Sequence, residues 1–275
     1  MKVGSLFSGI GGLELGLERA GMEVVWQVEI DDFCNRVLEK HWPDVKRYRD
    51  VREVGKHNLE PVDLICGGFP CQPVSQAGEK RAQEDDRWLW PEFARIVREL
   101  GPNFVLVENV PGLLARGMGD VLRDLAALRY DAGWESIPAS AVGAPHRRDR
   151  VWILAHTEII TERTRLCAGG PTWEWGRRFS HGGGKKVLAN PTGERLEGWD
   201  NGSKGVHPGC VRLLPSRPGE RLRDPWAIEP NVGRVAYGIP NRVDRLRALG
   251  NAVVPQVAEW IGHQILAAEL IASTT

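Results

Sequence analysis

The chain predicts a doubly wound α/β fold: a mainly parallel sheet with helices on both faces, plus a small, loop-rich inserted lobe. Three observations carry that expectation. Strand-like and helix-like patterns alternate from Val3 to about Leu154, as in βαβ units. The strand candidates are short continuous apolar runs, the pattern of strands buried on both faces. Past residue 157 the periodicity fades and Gly, Pro and Trp accumulate, until an apolar helix from Pro255 to about Leu270 returns.

Taken in order, Val3 to Leu6 reads as a strand that passes through the glycine turn Gly9-Ile10-Gly11-Gly12 into an amphipathic helix ending at Ala20-Gly21. Such a turn lets the backbone approach a ligand closely. The third glycine of a dinucleotide fingerprint is missing, because Glu14 stands in its place. The next strand, Val24 to Val28, ends in Glu29, a carboxylate placed to accept the two hydroxyls of a ribose. The run Val62 to Cys66 then leads into Gly67-Gly68-Phe69-Pro70-Cys71-Gln72-Pro73. Pro70 and Pro73 restrict the backbone around Cys71, so this thiol is presented at the carboxyl end of a strand, where open α/β sheets carry their chemistry. A helix beginning near Asp85 runs to Leu100, its Trp residues read as core. The strand Phe104 to Val107 ends in Glu108-Asn109-Val110-Pro111. The cluster His146-Arg147-Arg148-Asp149-Arg150 precedes the strand Val151 to Leu154, and in an extended chain Arg148 and Arg150 share a side. Finally Leu249-Gly250-Asn251-Ala252-Val253-Val254-Pro255 opens the last helix.

Taken singly, each piece has a plain structural reading: a buried cysteine, a capping glutamate, a solvated arginine run. Their order is informative. The F-x-G-x-G opening, the P-C-Q loop, the E-N-V tripeptide, the R-R-x-R cluster and the G-N-x-V-x-P return resemble the motifs of the C5-cytosine-specific DNA methyltransferase family, from Phe7 to Pro255. The family commonly has Gln where His146 stands. The resemblance implies a Rossmann-like domain that binds S-adenosyl-L-methionine. Phe7 would lie against the adenine, Gly9 and Gly11 near the methionine portion, Glu29 on the ribose and Asp50 near the adenine amino group. Asn251 and Val253 would close the pocket, with Gly12, Ile30 and Val51 in the same set. The implied catalytic residues are Cys71, Glu108, Arg148 and Arg150, and the implied substrate contacts are Pro70, Gln72, Asn109 and Arg147.

The chemistry suits these residue types. Carbon 5 of cytosine becomes nucleophilic once a thiolate at Cys71 adds to carbon 6. Glu108 would stabilise the charge that builds on N3, and Arg150 would hold O2 and favour the thiolate. Carbon 6 is hidden inside a duplex stack, so the base must be flipped out. A nicotinamide or flavin oxidoreductase would account for the glycine loop and Glu29, but not for Cys71, Glu108 and Arg150. An intact set of Cys71, Glu108, Arg148 and Arg150 speaks against a DNA-binding protein without activity. A tRNA cytosine-5 methyltransferase, or a DNA alkylating enzyme with a modified sulfonium cofactor, stays open.

The zero net charge hides an uneven distribution. Residues 145–247 hold 19 Lys and Arg against 11 Asp and Glu, whereas residues 1–144 hold 17 against 23. A basic region suits phosphate contacts. We therefore expect a catalytic domain over 1–156 and 248–275 and a target-recognition region over 157–247, with double-stranded DNA as partner. Five Cys without paired spacing point to a reducing compartment and no zinc site. No apolar run is long enough to span a membrane, and Met1-Lys2-Val3 leads straight into the first strand without a leader pattern. The expectation is a cytoplasmic, metal-free monomer in a bacterial or phage-infected cell.

Overall fold

The structure is a computed structural model that describes residues 1–70, 88–157 and 242–273. The strands are β1 (Lys2–Leu6), β2 (Glu23–Val28), β3 (Lys46–Tyr48), β4 (Leu64–Gly67), β5 (Phe104–Asn109), β6 (Tyr130–Pro138) and β7 (Asp149–Thr157). They form one sheet in the order β3-β2-β1-β4-β5-β7-β6. The first five run parallel, and β7 is antiparallel to both β5 and β6. The helices are α1 (Gly12–Arg19), α2 (Asp32–His41), α3 (Trp90–Leu100), α4 (Leu113–Arg116), α5 (Met118–Ala127), α6 (Arg242–Asn251) and α7 (Pro255–Ser273).

Alternation along the buried strands builds two apolar layers, one on each face of the sheet. Val105 and Val107 of β5 join Ile65, Phe93, Ile96, Val97 and Val121 on the face covered by α3 and α5. Phe104 and Leu106 join Leu13, Leu17, Leu64, Val257, Ile261 and Ile265 on the face covered by α1 and α7. A fully buried side chain of this size contributes roughly 1.5–3 kcal/mol relative to leaving it in water. Helix α7 returns to the large domain as expected and packs on α1. The contact needs a glycine at Gly16, where a Cβ would lie 2.3 Å from the Pro255 carbonyl, and a Cβ at Gly12 would lie 2.6 Å from the Val253 carbonyl just ahead of α7. The return segment therefore sits directly on the first turn of α1.

Helix α3 starts at Trp90, with Pro91 in its first turn, later than the expected start near Asp85, which lies outside the described residues. Helix α6 crosses the expected domain boundary at 247/248. Its described side-chain contacts reach Asp31 and Arg148 of the large domain.

Candidate active site

Strand order reverses between β1 and β4, whose carboxyl ends, with those of β2 and β5, border one crevice. This is where open parallel sheets bind ligands. Two buried glutamates stand there, Glu29 directly after β2 and Glu108 near the end of β5.

On one side, the β1–α1 loop opens with Phe7 at φ 56 and continues through Gly9 at φ 57 and Gly11 at φ 84. The left-handed φ at Gly11 allows the chain to turn into α1, where it is the N-cap residue. Ser8 N–H donates to Val28 O at 3.1 Å, which pins the loop to the end of β2. Glu29 follows immediately. Its Oε2 accepts from Gly9 N–H at 2.7 Å and its Oε1 from Asp31 N–H at 2.8 Å. Burial pushes the Glu29 carboxyl above its ordinary pKa, and the Asp31 and Gly9 N–H groups pull it back. Ile30, next in the chain, is 64% exposed. Asp50 accepts from Arg52 N–H at 2.9 Å and caps the short 3-10 turn Val51–Glu53, with Val51 buried behind it.

On the other side, Glu108, one residue before the end of β5, is only 6% exposed. Arg150 Nε lies 2.9 Å from its Oε1, angled off a straight hydrogen bond, and Oε1 has no hydrogen-bond partner among the described residues. Burial pushes the Glu108 carboxyl up to about 7, against the opposing pull of Arg150 and then Arg148. Its other oxygen faces the loop after β4: a Cβ at Gly68 would come within 2.9 Å of Oε2. A side chain there would press on the Glu108 carboxyl and displace it. Asn109 Nδ2 donates to Phe69 O at 3.0 Å, so β5 holds the same loop at two successive residues. Phe69 is clasped beneath by Trp88 and Trp90, with ring centroids at 5.2 and 5.4 Å. Trp90 is core, as expected. Pro70 is exposed at the loop's end. Cys71 and Gln72 lie outside the described residues.

The arginine cluster divides. Arg150 turns to Glu108, and its Nη1 donates to Asp149 O at 2.9 Å. Arg148, left-handed at φ 35 rather than extended, takes different hydrogen-bond partners, while its charge still acts on Glu108. Its Nη2 donates to Gly250 O at 2.7 Å and also to Ala252 O, which ties the return segment to the start of β7. Arg147 is largely exposed and pairs with Asp149 at 3.1 Å. Asn251 is exposed, and Val253 is half-buried against Gly12.

The residues suit a nucleoside-bearing cofactor. A glycine turn with open space at Gly9, a fixed carboxylate at Glu29 and an exposed apolar side chain at Ile30 line one end of the crevice. A separate cavity of about 300 Å³, lined by Val25, Trp26, Tyr48 and His57 among others, contains none of the expected site residues. Among the described residues no cluster of His, Cys, Asp and Glu could hold a metal, and no helix is long and apolar enough to cross a membrane. Reading residue types alone missed Gly68, Asp31 and Asn35, which act through backbone contacts. The Asp31-Asp32 pair ahead of α2 is an N-cap signal; Gly68 carries no sequence signal beyond its place beside Gly67.

Comparison with known proteins agrees with this geometry. A model of the family described as C-5 cytosine-specific DNA methylase matches residues 1–165. The type II methyltransferase M2.BsuMI of Bacillus subtilis (strain 168) is 37% identical over 164 residues, covering 56% of this chain and 42% of that protein. M.Eco47II of Escherichia coli is 37% identical over 178 residues, covering 62% and 41%. A crystal structure of a candidate DNA modification methyltransferase, encoded within an E. coli prophage, superposes with a TM-score of 0.51 at 32% identity, over 58% of this chain and 48% of that one. The chain spans less than half the length of each of these relatives. With a family model matched over more than half of its length and a mostly parallel seven-stranded sheet to go with it, the chain belongs to the C-5 cytosine-specific DNA methylase family.

Proposed function

We propose that this chain methylates carbon 5 of cytosine in double-stranded DNA. The observation that carries the reading is Glu108: a buried carboxyl, pushed up to about 7, paired with Arg150 and packed against Gly68, three residues before Cys71 in the sequence. A group with that pKa is in large part protonated at neutral pH and can hydrogen-bond a ring nitrogen that gains charge.

Cys71 would add to carbon 6 of a flipped cytosine, while Glu108 stabilises N3. Arg150 would steady O2, since its Nη2 makes no hydrogen bond among the described residues. Bound S-adenosyl-L-methionine would supply an electrophilic methyl group. Glu29 would hold the ribose, Phe7 the adenine, Asp50 the adenine amino group, and Gly9, Gly11 and Gly12 the methionine portion, with Ile30 and Val51 lining the adenine end and Asn251 and Val253 closing the pocket. Pro70, Gln72, Asn109 and Arg147 would contact the target nucleotide, Asn109 while bracing the loop. Arg148 would act at one remove, holding the Gly250–Ala252 return in place. Residues 157–247 would form the recognition region, whose basic excess suits phosphate contacts.

The test is transfer of labelled methyl from S-adenosyl-L-methionine to unmethylated genomic DNA and, in parallel, to tRNA, with Cys71→Ser as control. Label at carbon 5 of cytosine within one short DNA motif, absent from the control, is the expected result. Label confined to tRNA would overturn the DNA substrate, and label in neither would overturn the enzymatic reading.

A further inference from the structure

Asp31 sits two residues past Glu29 and does three things at once. Its Oδ1 accepts from Cys34 N–H at 3.0 Å, capping α2. Its own N–H donates to Glu29 Oε1 at 2.8 Å. Its Oδ2 pairs with Arg247 Nη2 at 2.7 Å, across 216 positions of sequence. The same turn is tied locally by Asn35 Nδ2, which donates to Glu29 O at 2.7 Å and to Asp31 O at 2.8 Å, and by Arg49, which donates to Ile30 O at 2.7 Å. Arg247 alone among these groups comes from the far end of the chain.

Helix α6, which carries Arg247, follows directly on residues 158–241 and is held at two points. Arg247 ties it to the Glu29 turn, and Arg148 ties its last residues to the strand that carries Arg150. On its own helix Arg247 also lies 3.9 Å from Asp244, so the much closer Asp31 takes most of its charge. The pair is partly exposed, at 61% and 29% of the two side chains, and such pairs add little to global stability. The weight of this one lies in where it points: it holds the residue whose backbone N–H orients the buried Glu29 carboxylate.

We propose that Arg247 is a positioning residue for the cofactor's ribose site, acting through Asp31, and that it links the helix at the end of the recognition region to cofactor binding. The inference rests on the reading of Glu29 as the ribose acceptor. By reciprocity, a ligand that fixes α6 tightens cofactor binding by the same factor by which the cofactor tightens that ligand.

A two-residue cycle tests it, read by calorimetric binding of S-adenosylhomocysteine to the full chain. Asp31→Asn keeps an oxygen for the cap and removes the charge; Arg247→Gln removes the other partner. Each single change is expected to weaken binding about three- to fivefold, the scale of a partly exposed ion pair. The double variant should be no worse than either single, because partners in one interaction are not additive. Methylation kinetics should show KM for the cofactor rising while kcat changes less than twofold, and Arg247→Lys should recover most of the affinity. Unchanged affinity in both single variants, or strictly additive losses in the double, would overturn the coupling while leaving the cofactor site intact. A wild-type chain that binds no S-adenosylhomocysteine would instead overturn the cofactor reading, and this inference with it.

Discussion

Glu29 and Glu108 stand at the carboxyl edge of the sheet, Glu29 directly after β2 and Glu108 one residue before the end of β5, and burial raises both carboxyls while different partners oppose it. Glu29 has both oxygens taken by backbone N–H groups, from Gly9 and Asp31, and donors of that kind stabilise the charged form. Glu108 has one oxygen without a hydrogen bond among the described residues and the other turned to Gly68. Burial there outweighs the nearby arginines and lifts the carboxyl to about 7. Strands β2 and β5 stand three places apart in the sheet, roughly 14 Å at the usual strand spacing. The contrast teaches that donor count, more than burial, separates a carboxylate that holds a ligand from a carboxylic acid that donates a proton.

The sharpest way to break the contrast is to neutralise each glutamate in turn. Glu108→Gln should lower single-turnover methylation by roughly 100-fold or more, the scale of a lost general acid, with S-adenosylhomocysteine affinity nearly unchanged. Glu29→Gln should do the reverse: a loss of affinity of about tenfold, in line with a hydrogen bond to a charged group, with little change in kcat at saturating cofactor. If both variants lost affinity and kcat together, the two ends of the crevice would not have separate roles.

Next in size is the pH dependence. On the proposed role a carboxyl at Glu108 would donate only while protonated, so the wild-type rate should fall as pH rises through about 7, approaching tenfold per pH unit beyond it. The same shift bears on stability. A carboxyl whose folded pKa is raised contributes stability that is present in full below its ordinary value of 4.5 and is lost as pH rises through about 7. Glu108→Gln should flatten the alkaline limb of the rate profile between pH 6 and about 8; a limb that persists unchanged would assign the titration to another group.

How far the sequence reveals this arrangement depends on which contacts carry it. Strands buried on both faces were legible because continuous apolar runs such as Val62–Cys66 and Phe104–Val107 have few other readings. The short, charged β3, Lys46–Tyr48, and the mixed β6, Tyr130–Pro138, were not, because their faces differ in burial and no clean period survives. Glu29, Glu108 and Arg150 stood out as charged residues at strand ends. The partners of Arg148 were not legible: alternation assumes an extended chain, whereas its φ is 35 and its guanidinium donates to the Gly250 and Ala252 carbonyls. The donors that hold Glu29 are backbone groups, which no residue type announces. The Arg247–Asp31 pair joins positions 216 apart, beyond the reach of any local pattern.

A third buried carboxyl sharpens the comparison further. Glu14, in the first turn of α1, is fully buried and also pushed up to about 7 by burial. Ser5, Ser8 and Cys66 lie around it and Glu29 acts on it from further away, but the two hydroxyls bond each other at 3.0 Å, and neither Glu14 oxygen has a hydrogen-bond partner among the described residues. It thus shares the raised pKa of Glu108 without its setting: among the described residues no arginine pairs with it. If a raised pKa sufficed to mark a catalytic acid, Glu14→Gln would be as damaging as Glu108→Gln. The expectation is the opposite. The Glu14 carboxyl's stability contribution is present in full below its ordinary 4.5 and gone above about 7, and an amide does not ionise. Glu14→Gln should therefore raise stability by on the order of 2–3 kcal/mol at pH 8 and by little at pH 5, as read by urea unfolding at the two pH values. Methylation should change less than twofold. A large loss of rate without a loss of stability would show that the glycine turn above Glu14 transmits its charge to the crevice, and would place a third carboxyl among the working groups.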